Sequence, residues 1–102
     1  KTCIPCQGGI PPLPLEKTVE FLKELSNNWI HIDNHHIEKE YSFNTFPEAI
    51  AFTNKVADLA ESEGHHPYIH INFKTVKIIV YTHKINGLHE SDFILAAKCD
   101  LI

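Results

Sequence analysis

The sequence predicts an α+β fold: a four-stranded antiparallel sheet with three helices packed on one face, in the order α-β-β-α-β-β-α. Three observations lead there. Apolar residues recur at helical spacing in three stretches. Four short runs rich in β-branched and aromatic residues read as strands, and short turns join them in pairs as hairpins. The chain of 102 residues, 43% apolar and 22% charged, suits one ordinary globular domain.

Residues 1–14 hold four prolines and two glycines and cannot form regular structure, so they are expected as an extended arm, tacked down by Ile10 and Leu13. Residues 15–102 form the single domain. Pro14 suits the first turn of a helix in which Leu15, Val19, Leu22 and Leu25 make the apolar stripe, ending near Ser26-Asn27-Asn28. Strands follow over Trp29–Asp33 and Ile37–Phe43, joined at Asn34-His35. Thr45-Phe46-Pro47-Glu48 has the form of a capping box. The helix it opens carries Phe46, Ala49, Ile50, Thr53, Val56, Ala57 and Ala60 on one stripe, backed by Phe52 and Leu59, and should stop at Gly64. Ile69, Ile71 and Phe73 alternate with polar neighbours, and a turn at Lys74-Thr75 leads into the strand Val76–Thr82. Asn86-Gly87 makes a turn. The last helix runs from Glu90 to about Cys99, with Phe93, Ile94, Ala96 and Ala97 expected against the sheet.

The net charge of −4 and the absence of a basic run argue against nucleic-acid binding. No apolar segment is long enough to cross a membrane and no signal peptide is evident, so a cytoplasmic location is expected. Three cysteines, Cys3, Cys6 and Cys99, are too few for a disulfide scaffold. Cys3-x-x-Cys6 invites a metal or redox reading but lacks a second cysteine pair, so no metal is assigned to it. Bare sheet edges suggest a homodimer or homotetramer.

The chemistry gathers around Glu61-Ser62-Glu63-Gly64-His65-His66-Pro67. The second hairpin carries the chain away from His65-His66 and returns it at His83, so three imidazoles from two distant segments converge. Imidazoles titrate near 6.5, and one can act as base while another acts as acid, with Glu61 and Asp92 as supporting carboxylates. Such a set suits an elimination or tautomerisation that needs no cofactor; no glycine-rich phosphate loop is present. Two plainer readings compete: His65-His66 as an incidental loop pair, and Asp92 as a carboxylate that serves only the start of its helix. A metal held by His66 and His70 is disfavoured, because Pro67 opposes helix there and strand spacing sets the two rings too far apart.

Glu61-x-x-x-His65-His66-Pro67, a β-hairpin, Thr82-His83, Gly87-Leu88 and Asp92-Phe-Ile-Leu-Ala-Ala together resemble the pterin-4a-carbinolamine dehydratase family. The opening Cys3-x-x-Cys6-x-Gly-Gly-x-Pro-Pro-Leu is similar to the head of bacterial members. The resemblance implies dehydration of a 4a-hydroxy-tetrahydropterin to quinonoid dihydropterin and water, serving tetrahydrobiopterin recycling for an aromatic amino acid hydroxylase. It implies His66 as base, His65 and His83 as acids on opposite ring faces, and pterin contacts from Gly64, Tyr81, Thr82 and His83, with Trp29 as a pocket wall. The pterin is then substrate and no cofactor is implied. Some animal members also act as dimerisation cofactors for a transcription factor, so a protein-binding role without direct DNA contact is the alternative. His89 stands where many relatives carry a hydroxyl N-cap, which should weaken the helix start by about 1 kcal/mol. Tyr68 and Tyr81 also depart from the family's pattern.

Overall fold

The computed structural model describes residues 8–102; Cys3 and Cys6 lie outside the described residues. Helix α1 spans Leu15–Leu22, strand β1 Ile30–Ile32, β2 His36–Ser42, α2 Phe46–Glu63, β3 Tyr68–Asn72, β4 Thr75–Val80 and α3 Glu90–Cys99, with a 3-10 turn at His83–Ile85. The strands form one antiparallel sheet in the order β1-β2-β4-β3. The expected α+β architecture and element order are therefore those observed.

Strand β4 is central, and its alternation is clean: Val76, Ile78 and Val80 are fully buried while the residues between them are partly exposed. Ile37 of β2 sits opposite Val80, and α2 lays Ala49, Phe52, Val56 and Ala60 over this face. Those four recur at helical spacing, which is why one stripe of α2 can be covered along its length. The capping box at Thr45 and Glu48 is formed, with Glu48 N–H donating to the Thr45 hydroxyl and Thr45 N–H to the Glu48 carboxylate, at 3.2 Å each.

Three expectations about helix faces need correction. In α1 Leu22 packs against the core as expected, and so does Leu25 beyond the helix, which ends at Leu22; Leu15 and Val19 are exposed, and Thr18 is the fully buried residue, bonded through its hydroxyl to Asn34 Oδ1. In α2, Phe46 and Ala57 face outward. In α3 the buried set is Phe93, Leu95, Ala96 and Cys99, with Ile94 and Ala97 outside, because Asp92 at 0% exposure turns that helix by one position. On β3, an edge strand, only Ile69 packs against the core, and Ile71 and neighbouring Phe73 remain exposed. Apolar spacing identified each helix, but a buried polar anchor set the rotation of two of them.

The described part of the N-terminal arm lies along the segment before α3. Leu13 N–H donates to Leu88 O at 2.8 Å, and Pro12 sits so close to Gly87 that a Cβ there would meet it at 2.7 Å. At the far end of α3, Asp100 gathers four donors from two segments, the stretch between α1 and β1 and strand β2. It accepts from Ser26 Oγ, Trp29 Nε1 at 2.9 Å, Lys39 Nζ at 2.8 Å and the Tyr41 hydroxyl at 2.6 Å. Burial works to raise the Asp100 pKa, but these donors outweigh it and hold the carboxyl below its ordinary value. Burial, reinforced by the Asp100 carboxylate, pushes the Tyr41 phenol up.

Candidate active site

The end of α2 decides where the first two histidines point. Gly64 adopts the left-handed conformation, with φ of 64°, and its N–H bonds Glu61 O at 3.2 Å while His65 N–H bonds Ala60 O at 3.1 Å. This pair of bonds is the Schellman pattern, which satisfies the helix's last carbonyls and reverses the chain sharply. His66 precedes Pro67, a position that favours extended backbone, where successive side chains diverge. His65 goes inward, 3% exposed, and His66 goes outward.

The inward ring meets α3. His65 Nε2 lies 2.7 Å from Asp92 Oδ1, both atoms buried, although the ring N–H is not aligned on the oxygen as in a good hydrogen bond. The other carboxylate oxygen, Oδ2, accepts from the Thr82 hydroxyl at 2.9 Å and from His89 N–H at 2.8 Å. Asp92 is thereby fixed at the N-terminus of α3, where the helix dipole favours an anion. The lack of a hydroxyl at position 89 does not displace it, since the backbone of His89 supplies the bond. With Nε2 set against Asp92, Nδ1 is the ring nitrogen left to exchange a proton with a ligand.

The other two histidines stand on the rim. His66 Nε2 is 2.9 Å from Glu61 Oε1, one turn back along α2, in an exposed pair. His83 is brought back by β4 and opens the 3-10 turn, its ring stacked on Tyr81 with centroids 4.4 Å apart. Gly64, His65, His66, His83 and Lys84 enclose one hollow of about 220 Å³. A larger hollow of about 380 Å³ lies at the other end of α2, lined by Phe43, Phe52, Glu48 and Lys55 among others. None of its lining residues is a histidine, and it lacks an acid–base set suited to proton exchange near neutral pH.

Of the residues singled out from sequence, the hollow brings together Gly64, His65, His66 and His83, with Glu61 and Asp92 each against one histidine. Thr82 is fully buried and acts on Asp92 rather than facing the hollow. Tyr81 lies behind His83. Trp29 does not line the hollow: its ring packs against Tyr41 and its indole N–H is bonded to Asp100. The residue preceding β1 extends toward the C-terminal end of α3, and the histidines gather at the other end. Lys84 was missed, and only its position beside His83 could have suggested it. Among the described residues, no three His, Cys, Asp or Glu side chains are grouped to hold a metal ion.

A buried carboxylate–imidazole pair beside two accessible imidazoles is an arrangement for moving protons. Comparison with known proteins carries this further. The profile of the pterin 4 alpha carbinolamine dehydratase family matches residues 11–102. The chain belongs to the pterin-4a-carbinolamine dehydratase family. A relative from Rickettsia bellii, provisionally named for that activity, is 50% identical over 102 residues, covering all of this chain and 90% of the relative. Another, from Alkaliphilus metalliredigens, is 47% identical over 98% of this chain and 90% of its own length. A crystal structure of a transcriptional coactivator/pterin dehydratase from Brucella melitensis superposes with a TM-score of 0.82 at 28% identity, over 88% of this chain and 96% of that one.

Proposed function

We propose that the protein dehydrates a 4a-hydroxy-tetrahydropterin to quinonoid dihydropterin and water by general acid–base catalysis with His65, His66 and His83. The observation that carries the reading is the convergence of these three imidazoles on one hollow, with a buried carboxylate behind one of them. Family membership narrows the substrate to a pterin.

In the reaction the C4a–O bond breaks, the departing hydroxyl takes a proton, and the N5–H proton leaves. The electron pair of the N5–H bond then forms the new double bond to C4a. His66, accessible and oriented by Glu61, is the base at N5. His83 and His65 are acids for hydroxyl groups on opposite faces of the ring. Asp92 keeps the His65 ring in one orientation, and Thr82 and the His89 backbone keep Asp92. Together such groups supply roughly 10²–10⁴-fold acceleration. The chemistry needs no cofactor or metal.

The reaction serves recycling of a tetrahydropterin used by an aromatic amino acid hydroxylase. The setting proposed for it is the cytoplasm, which suits a chain with too few cysteines for a disulfide scaffold. The partner proposed for the β3 edge is a second copy of this chain, supported by exposed Ile71, Phe73 and Phe46 beside it.

The test is a coupled assay in which a hydroxylase generates the carbinolamine and its dehydration is followed with the wild-type chain and with His66→Ala. Acceleration by the wild type, lost in a folded variant, is the expected result. Unchanged turnover in the variant rejects the assignment to His66. A folded wild-type chain without turnover would reject the enzyme reading and favour the protein-binding role joined to dehydratase activity in the description of the Brucella protein.

A further inference from the structure

His83 is the exposed member of the trio on the loop side, and an exposed imidazole on a short turn would ordinarily sample several rotamers. Its surroundings oppose that. The Tyr81 ring stacks on it at 4.4 Å and 21°, and the Tyr68 ring meets it edge-on at 5.3 Å. Tyr81 is itself fixed from two sides. Its hydroxyl lies 3.1 Å from that of Tyr68, and on another side its ring meets His35 at 4.4 Å.

The contacts then close on themselves. His35 Nε2 lies 2.9 Å from Asn86 Oδ1, and Asn86, in the left-handed conformation that ends the 3-10 turn, donates its N–H to His83 O at 3.1 Å. A path therefore runs from the His83 ring to Tyr81, to His35, to Asn86 and back to the His83 backbone. Both the ring and the turn that bears it are held by one aromatic side chain. The hydrogen bond with Tyr68 also raises the Tyr81 pKa, so the phenol stays neutral across the working range.

We infer that Tyr81 is a positioning residue: braced by Tyr68 and His35, it fixes the plane of the His83 imidazole at the edge of the hollow. Its link to catalysis rests on the dehydratase reading, but the geometric core can be tested without it. The phenol need not touch substrate, since what it supplies is the face of a ring. Phenylalanine gives up the hydroxyl contact with Tyr68 but keeps the ring contacts with Tyr68, at 5.7 Å, and with His35, so it should largely serve, and an aliphatic residue should not.

The experiment compares the wild-type chain with Tyr81→Leu and Tyr81→Phe by two measurements. In the NMR spectrum, the His83 ring protons should show the upfield displacement of a stacked aromatic neighbour, lost in Tyr81→Leu and kept in Tyr81→Phe. In the dehydration assay, Tyr81→Leu should lower kcat about 10-fold with KM nearly unchanged, and Tyr81→Phe should restore most of that loss. If Tyr81→Leu fails to fold, His35→Ala, which removes the outer brace from the surface, should reduce the same displacement. His83 signals equal in all the folded variants would overturn the proposal, as would an equal kcat loss in Tyr81→Leu and Tyr81→Phe. A wild-type chain without turnover would instead reject the dehydratase reading, and the NMR arm would still decide the positioning role.

Discussion

Helix α3 carries a carboxylate at each end, and the two are used differently. Asp100, at the C-terminus, stands where the helix dipole is unfavourable to an anion, and this is offset by the Lys39 ammonium and three neutral donors. Those neutral donors, an indole, a phenol and a hydroxyl, keep their protons across the working pH range, so Asp100 can only hold. Asp92, at the N-terminus, stands where the dipole favours it. One of its oxygens is committed to Thr82 and His89, and the other faces an imidazole, a partner able to gain and lose a proton near neutrality. The same residue type on one helix thus serves cohesion at one end and proton chemistry at the other.

The contrast breaks most visibly at the histidine end. Asp92→Asn keeps the shape but turns an amide N–H toward His65 Nε2 and removes the negative charge that supports a protonated, proton-donating ring. Dehydration should fall by about 10²-fold, while thermal unfolding changes far less, a combination read from kcat and a melting curve on the same sample. A fall in stability without loss of rate would erase the distinction between the two carboxylates.

Asp100→Asn should give the inverse: stability lower by about 2 kcal/mol, discounted for the solvent that reaches the cluster, and kcat little altered. Because the folded pKa of Asp100 is depressed, its contribution is present above the unfolded value near 4 and is lost as pH falls through the folded value. Denaturant titrations at descending pH should therefore show a steeper acid loss in the wild type than in Asp100→Asn. Parallel curves would contradict the role given to the four donors.

A smaller effect is expected at the turn that sends the two histidines apart. Gly64→Ala meets no steric obstacle, so its cost is that of the left-handed backbone alone, about 1–2 kcal/mol by chemical denaturation. Smallest of all is the response of Cys99 to an alkylating reagent: buried, with its thiol pushed up to about 12, it should stay unmodified in the native protein and react only on unfolding.

The order of elements, the capping box at Thr45, the stop at Gly64 and the return of His83 toward His65 were all legible in the sequence. Each is written in local residue chemistry or in the length of a hairpin. What could not be read there depends on tertiary polar contacts. Thr18 turns α1 because Asn34 waits for it across the β1–β2 turn, and Asp92 turns α3 because Thr82 and His65 receive it. Trp29 looks like an aromatic wall for a flat ligand until Asp100, 71 positions on, is seen to hold its indole. Apolar periodicity gives a helix its stripe but does not say when a buried hydrogen bond will move that stripe by a residue.

The claim on which the rest depends is that His65, His66 and His83 address one ligand. Histidine-ring NMR signals, assigned by single His→Gln variants and followed during titration with an oxidised dihydropterin, test it most directly. The account expects the three sets of signals to move together along one saturation curve while those of His70, outside the hollow, stay in place. Signals of His83 that ignore the ligand while His65 and His66 respond, or a response confined to histidines elsewhere, would contradict it.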